Sequence, residues 1–264
     1  MLTRPFTVYI TSFYIILSEV NMPLFDLSAL VTKKIRCSAV IVAGGSSTRF
    51  GSDKLFVPLC GIPVLAYSLM TFETCDYISE IIVVTESEKI MQVAELCDKF
   101  NISKVTKVVC GGATRLESAL SGVSETEKKC DLIAVHDGAR PLVTSKIIED
   151  AINAAYKYKA AVPGIPARDT IKILSGSFTS ETPDRASAWC AQTPQVFLPE
   201  LVKGALTSAL QKDLSVSDDA SAVEMLGFSV FVTDGSEENI KITTPLDLKF
   251  AECILAERRE RMTI

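Results

Sequence analysis

Histidine is almost missing from this sequence: its 264 residues include one, His136, and one tryptophan. A multi-histidine metal cage is thereby excluded, as are most Ser-His-Asp relays. A lone histidine at the end of an apolar run is expected to be hydrogen-bonded structure rather than an acid or base. Positive charge is also scarce. Lysine and arginine number 27 against 32 acidic residues, a net charge of -5, the opposite of the footprint that nucleic acid or an anionic membrane requires. Any phosphate must therefore be met by local clusters. The eight cysteines are scattered, with no Cys-x-x-Cys pair, so they read as reduced thiols of a cytoplasmic protein rather than metal ligands. Long apolar runs are lacking too: Thr7 to Leu17 is too short to span a bilayer and is followed by Glu19. Residues 1–36 are expected to be an N-terminal extension, with Met22 a plausible alternative start and nothing that supports plastid import. Residues 37–264 are expected to carry the function.

What is present is a buried-strand pattern that ends in a phosphate-type loop. In AVIVAGGSSTRFGSDK, the apolar run from Ala39 to Ala43 stops at Gly44-Gly45, and three hydroxyl residues, Arg49, Gly51 and Lys54 follow. Continuous apolar residues suit an interior parallel strand covered on both faces. Glycines let backbone N–H groups approach a phosphate, and Arg49 and Lys54 add charge. The spacing satisfies neither the Walker A loop nor the dinucleotide fingerprint. A third kind of nucleotide loop is expected, against the plain alternative of a glycine turn with two solvated cations.

Further apolar runs at Ile81 to Thr85, Val105 to Val109 and Leu132 to Val135 alternate with helical periodicity near residues 64–72, 87–100, 114–123 and 145–159. This predicts an α/β fold, a mainly parallel sheet with helices on both faces and every strand's C-terminal end on one edge, where ligands bind. Polar and glycine residues cluster at those ends, at 44–54, 111–118 and 136–141. The segment from Ala160 to Trp189 has three prolines and reads as an excursion from the core. Thr170–Leu174 and Ser187–Cys190 are expected to pair as a ribbon across Gly176, and a second subunit would cover it, since a lone ribbon is marginal in water. Later come a helix from Pro199 to Leu210, an N-cap at Ser217, a strand from Phe228 to Thr233, and a final helix from about Pro245 to Arg261 whose ERRERM cluster reads as a solvated end.

Asp137, in VHDGARP, is the best candidate for chemistry. A carboxylate directly after a buried strand, with Gly138 giving room and Arg140 nearby, suits a divalent ion held among phosphates; an ion pair with Arg140 is the structural alternative.

The ordered set AGGSSTRFGSDK, GGATRLES, VHDGARP, PARDTIK, TPQ, SDDASAVE and NIKITTP resembles the 2-C-methyl-D-erythritol 4-phosphate cytidylyltransferases of non-mevalonate isoprenoid synthesis, over about Ala39 to Glu257. The resemblance implies a Rossmann-like nucleotidyltransferase fold and a homodimer joined by a β-arm at about 167–190. It implies Mg2+, CTP as donor, and a sugar-alcohol phosphate as acceptor, with no nucleic acid or membrane partner. It puts Ala43, Gly44, Gly45, Arg49 and Lys54 in the triphosphate loop, and Gly112, Arg115 and Ser118 around cytosine and ribose. Asp137 becomes the metal ligand, and Arg140, Thr170, Arg185, Thr193, Ser217 and Lys241 hold the sugar phosphate, with Arg185 supplied by the partner subunit. Arg49, Lys54 and Lys241 would carry the catalytic charge. Ala113 and the short loop before Lys54 depart from the family pattern. Ribitol 5-phosphate cytidylyltransferase is the nearest alternative, sugar-1-phosphate nucleotidyltransferases are more distant, and a non-catalytic nucleotide-binding regulator is the alternative from another class.

Overall fold

Strands whose side chains alternate between two apolar layers build the centre. In β1 (Cys37–Val42), Ala39 and Ile41 face one core while Val40 faces the other; in β4 (Ile78–Thr85), Ile81 and Val83 oppose Ile82 and Val84 in the same way. All of these are fully buried, which is why the runs read as continuously apolar rather than alternating. The computed structural model describes residues 34–44, 50 and 53–263. Gly45, Arg49 and residues 1–33 lie outside them.

A short hairpin, β2 (Pro58–Leu59) with β3 (Ile62–Pro63), leads into α1 (Val64–Thr74). After β4 come α2 (Ile90–Lys99), β5 (Val105–Cys110), α3 (Arg115–Ser124), β6 (Leu132–Asp137), α4 (Ser145–Tyr158) and β7 (Ala160–Pro166). A hairpin of β8 (Ile173–Ser175) and β9 (Phe178–Glu181) follows, then β10 (Trp189–Ala191), β11 (Gln195–Phe197), α5 (Pro199–Gln211), α6 (Asp219–Glu224), β12 (Phe231–Asp234) and α7 (Pro245–Thr263). The main sheet has eight strands in the order β10-β7-β11-β6-β1-β4-β5, with β12 also on β7. Strands β6, β1, β4 and β5 are parallel, as are β7 and β12, and the short β10 and β11 run antiparallel. Helices α1, α2 and α4 cover one face and α3, α5 and α6 the other. The α/β fold with a mainly parallel sheet is therefore as expected.

Three local expectations change. The segment opening AAVPGIP is not an excursion: it is β7, an inner strand with Ala160 to Val162 buried. Its prolines hid it, because proline lacks a ladder donor, yet the Pro163 carbonyl still accepts from the Gln192 N–H at 2.7 Å. The ribbon also pairs differently. The turn at Gly176 joins Ile173–Ser175 to Phe178–Glu181, while Trp189–Ala191 belongs to the main sheet beside β7. The N-cap of α6 is Asp218, not Ser217: Asp218 Oδ1 accepts from Ser221 N–H at 2.9 Å, and Ser221 Oγ accepts from Asp218 N–H at 3.2 Å, a reciprocal box.

The ordering of the strands defines where a ligand sits. From β1 the chain moves outward to β4 and β5, then returns to the other side of β1 as β6. The switch point is the gap between β1 and β6, where Val42 and Asp137 are register partners. Gly138 closes that corner. A Cβ there would come within 2.9 Å of the Leu65 side chain and 3.2 Å of the Val42 carbonyl, so any larger residue would have to push Leu65 and the end of β1 aside.

Candidate active site

At the switch point Asp137 stands among three cations. Lys241 Nζ is 2.8 Å from its Oδ2, Arg140 Nε 3.8 Å from the same oxygen, and Arg115 Nε 3.6 Å from Oδ1. Burial works against the Asp137 charge, but Lys241, Arg115 and Arg140 outweigh it and hold the carboxyl far below the usual range. The two arginines have anchors of their own. Arg115, on the first turn of α3, donates to both oxygens of fully buried Asp219 at 3.0 and 2.8 Å, a bidentate pair that keeps it charged despite burial. Arg140 donates to the Asn239 carbonyl at 2.7 Å. Its buried Nε, facing Asp137, has no hydrogen-bond partner among the described residues.

Behind Asp137 lies His136, wholly buried and 4.9 Å, ring to ring, from Phe72. Its Nε2 faces the Arg140 carbonyl at 3.4 Å and its Nδ1 faces Thr193 Oγ1 at 3.0 Å. A carbonyl can only accept, which assigns the proton to Nε2 and leaves Nδ1 to accept from the Thr193 hydroxyl. Burial lowers the imidazole to about 3, so His136 is neutral. Thr193 Oγ1 in turn accepts from the Asp137 N–H at 3.1 Å. With its proton on His136, that hydroxyl presents to any ligand only its remaining lone pair.

The cleft encloses about 230 Å³ and is lined by Arg115, Asp137, Arg140, Thr193, Ser217 and Lys241, with Gln192, Gln195 and Asp218. The structure thus brings together six residues singled out in the sequence, from five different motifs. Ser118 is buried beside them as a loop anchor: its Oγ accepts from Gly112 N–H at 3.2 Å and donates to the Thr114 carbonyl at 2.9 Å. A capping box between Thr114 and Glu117 starts α3 just behind it. Ala43 ends β1, its N–H bonded to the Val84 carbonyl at 2.7 Å. Gly44 faces open space, with nothing within 4 Å of a Cβ built on it. Lys54 is half-buried, in a turn tied to the start of α2 by the ion pair of its neighbour Asp53 with Lys89 at 2.7 Å. Thr170 and Arg185 do not line this chain's cleft; both are exposed on the segment between β7 and β10.

Sequence reasoning missed Gln192, Gln195, Asp219 and Asn239. Gln195, the glutamine of TPQ and quoted only as part of that motif, is buried; it donates to Asp218 at 2.6 Å and accepts from Ala220 N–H at 2.9 Å, fastening α6 to the cleft. Two neighbouring acidic residues look alike in a sequence, and only the fold distinguishes Asp219 as Arg115's counter-ion. The ERRERM cluster is also more than a solvated end. Arg258 and Arg261 reach Glu238 at 2.7 and 2.8 Å, and Arg258 reaches the Leu142 carbonyl at 2.9 Å.

A doubly layered parallel sheet with a glycine loop after β1, and a carboxylate among cations at the switch point, defines a nucleotidyltransferase of the Rossmann-like kind. The family model for 2-C-methyl-D-erythritol 4-phosphate cytidylyltransferase matches residues 37–257, and the chain belongs to that family. The protein of that name from Caldanaerobacter subterraneus is 47% identical over 222 residues, covering 83% of this chain and 98% of its own. That from Halalkalibacterium halodurans is 42% identical, covering 85% and 99%. Among solved structures, a 4-diphosphocytidyl-2C-methyl-D-erythritol synthase from Anaerococcus prevotii superimposes with a TM-score of 0.76 at 30% identity, covering 84% of this chain and 97% of that one. The Thermus thermophilus cytidylyltransferase gives 0.68 at 30%, covering 83% and 98%.

Proposed function

We propose that this chain transfers a cytidylyl group from CTP to 2-C-methyl-D-erythritol 4-phosphate, giving CDP-methylerythritol and pyrophosphate in isoprenoid synthesis. The observation that carries the reading is Asp137 ringed by Lys241, Arg115 and Arg140 at the sheet's switch point, in a chain of this family. A sugar phosphate is largely dianionic near neutral pH, its second pKa being about 6, so its oxygen attacks the α-phosphorus without a base. A new P–O bond forms there as the bond to the bridging oxygen breaks, and pyrophosphate leaves with the electron pair. The buried, neutral His136 is in keeping with a reaction that needs no imidazole.

Positioning and charge are what remain to be supplied. Lys54 and Arg49 take the triphosphate, with the backbone of Ala43, Gly44 and Gly45. Gly112, Arg115 and Ser118 frame cytosine and ribose. Lys241, Arg140 and Ser217 take the phosphate of the sugar phosphate, joined by Thr170 and by Arg185 of the partner subunit, while Thr193, its proton on His136, accepts from a hydroxyl of the sugar. The donor set suits magnesium: among the described residues no cluster of three or more metal-binding side chains exists, and magnesium is usually held by one or two carboxylates plus substrate phosphates. Asp137 would hold the ion, which when bound neutralises charge on the phosphate oxygens. A homodimer through the hairpin is supported by its bare apolar side chains, with Phe178 81% and Leu174 59% exposed. Eight free thiols support a reducing, cytoplasmic setting.

Pyrophosphate release tests the reading. Incubation with CTP, Mg2+ and methylerythritol phosphate is expected to release it, and ribitol 5-phosphate is expected not to. Release with ribitol phosphate alone would favour the other cytidylyltransferase, and release with neither would favour a nucleotide-binding regulator.

A further inference from the structure

The loop that carries Lys241 has no regular structure, yet it is tied down along its whole length. At its start Gly235 N–H bonds the Gly164 carbonyl at 2.8 Å, and at its end Ile242 N–H bonds the Ala139 carbonyl at 2.8 Å. Between these, fully buried Asn239 is the hub. Its Nδ2 donates to Gln192 Oε1 at 3.0 Å and to the Thr193 carbonyl at 3.1 Å, and its main-chain carbonyl accepts from Arg140 at 2.7 Å. Gln192, also buried, completes the clamp: its Oε1 accepts from Ser236 N–H at 3.2 Å and its Nε2 donates to the Ser236 carbonyl at 2.8 Å. One amide pair thus joins the short connection between β10 and β11 to the Lys241 loop, whose backbone at residue 239 receives Arg140.

We propose that Asn239 and Gln192 are positioning residues of the transfer reaction, setting the spacing of Lys241, Arg140 and Thr193 around Asp137. The orientation is dictated by donor and acceptor type. Asn239 must offer two N–H groups to two oxygens, and Gln192 must present its oxygen to two N–H groups. Neither amide touches substrate; each acts through the backbone it holds, which carries Lys241 and presents the Asn239 main-chain carbonyl to Arg140. The inference rests on the proposed roles of Lys241 and Arg140.

The test is a double-mutant cycle on turnover, with Asn239→Ala, Lys241→Ala and both together in the full chain. Misplacement by about 1 Å can cost on the order of a hundredfold. Asn239→Ala is therefore expected to lower turnover by about ten- to a hundredfold, with nucleotide affinity within about threefold of the parent. Residues that act as a unit are strongly non-additive, so the double variant should be no slower than Lys241→Ala alone. Multiplicative losses, or normal turnover of folded Asn239→Ala, would overturn the proposal. Should Asn239→Ala fail to fold, Gln192→Met serves in its place: it removes both the acceptor and the donor of the clamp and is expected to lower turnover by a similar factor. Normal turnover of folded Gln192→Met would also overturn the proposal. Normal turnover of Lys241→Ala would instead refute the role of Lys241 on which the inference rests.

Discussion

The single histidine makes one prediction unusually clean. His136 is buried between β1 and α1, with Phe72 against its ring, Thr193 and the Arg140 carbonyl on its nitrogens, and the charged groups of Asp137 and Arg140 nearest to it. Folded, it titrates at about 3; unfolded, at about 6.5. Its folded pKa is depressed, and it is a base, so between those values the unfolded chain holds one more proton than the native chain. Stability therefore rises with pH through this window and falls as the medium is acidified, by about 1.4 kcal/mol per pH unit below about pH 6. Over two units that is roughly 3 kcal/mol, a large part of an ordinary domain's total stability of about 5–15 kcal/mol.

Urea unfolding between about pH 7.5 and about pH 4.5 measures the slope. The comparison is His136→Gln, whose side-chain amide can still donate to the Arg140 carbonyl but does not titrate. The variant is expected to be less stable at neutral pH, with a flatter dependence. Asp219 and Glu224, both raised by burial, with Arg115 opposing the rise at Asp219, contribute with the opposite sign in the acid range. They are common to both proteins and cancel in the difference. Parallel slopes for parent and variant would refute a neutral buried His136 and the hydrogen-bond directions assigned to Thr193.

Asp219→Asn leaves the Arg115 guanidinium without its bidentate anion. Breaking a buried pair costs about 3–5 kcal/mol, but Arg115 is 30% exposed and has Asp137 within 3.6 Å as a second partner. A loss of about 2 kcal/mol, or roughly 4–8 °C in Tm by calorimetry, is expected, together with a raised KM for CTP; an unchanged Tm would contradict the pairing. Gly138→Ala should destabilise by about 1–3 kcal/mol, since its Cβ meets Leu65 and the Val42 carbonyl, while Gly44→Ala should be neutral in the same denaturation assay. Equal effects would mean that the corner after β6 is not tight. Shortening the hairpin across residues 174–180 is expected to give monomers in sedimentation, and an intact dimer would remove the hairpin from the interface.

Much of the fold was legible because each parallel strand buries both faces: the runs at Ala39, Ile81 and Leu132 could hardly be anything else. What misled was chemistry that competes with periodicity. Pro163 and Pro166 made β7 look like a loop, although a strand tolerates a missing donor where a carbonyl still pairs. The site was legible where a residue's type is itself the signal, as with Asp137 after its strand. It was illegible where function depends on which of two similar residues faces inward. Asp218 caps a helix while Asp219 holds Arg115, and nothing in the dipeptide distinguishes them. Asn239 and Gln192 lie 47 residues apart and meet only because the short connection between β10 and β11 lies against the Lys241 loop.

The charge balance of the cleft leads to a further step. Arg115, Arg140 and Lys241 face Asp137 and Asp218 in the cleft, and Asp219 lies buried behind Arg115, so the six charges together are neutral. A sugar phosphate alone brings about 1.5–2 negative charges near neutral pH, and a triphosphate brings more. Three cations already committed to carboxylates cannot neutralise both. In the proposed reading the remainder would fall to Lys54, to Arg49 and to a divalent ion held by Asp137. With its carboxylate engaged by such an ion, Asp137 would hold Lys241 and Arg140 less strongly, and both would be left to the phosphates. On that reading the ring of cations around Asp137 would be a resting arrangement, in which the groups meant for substrate are held in place by the residue meant for the metal.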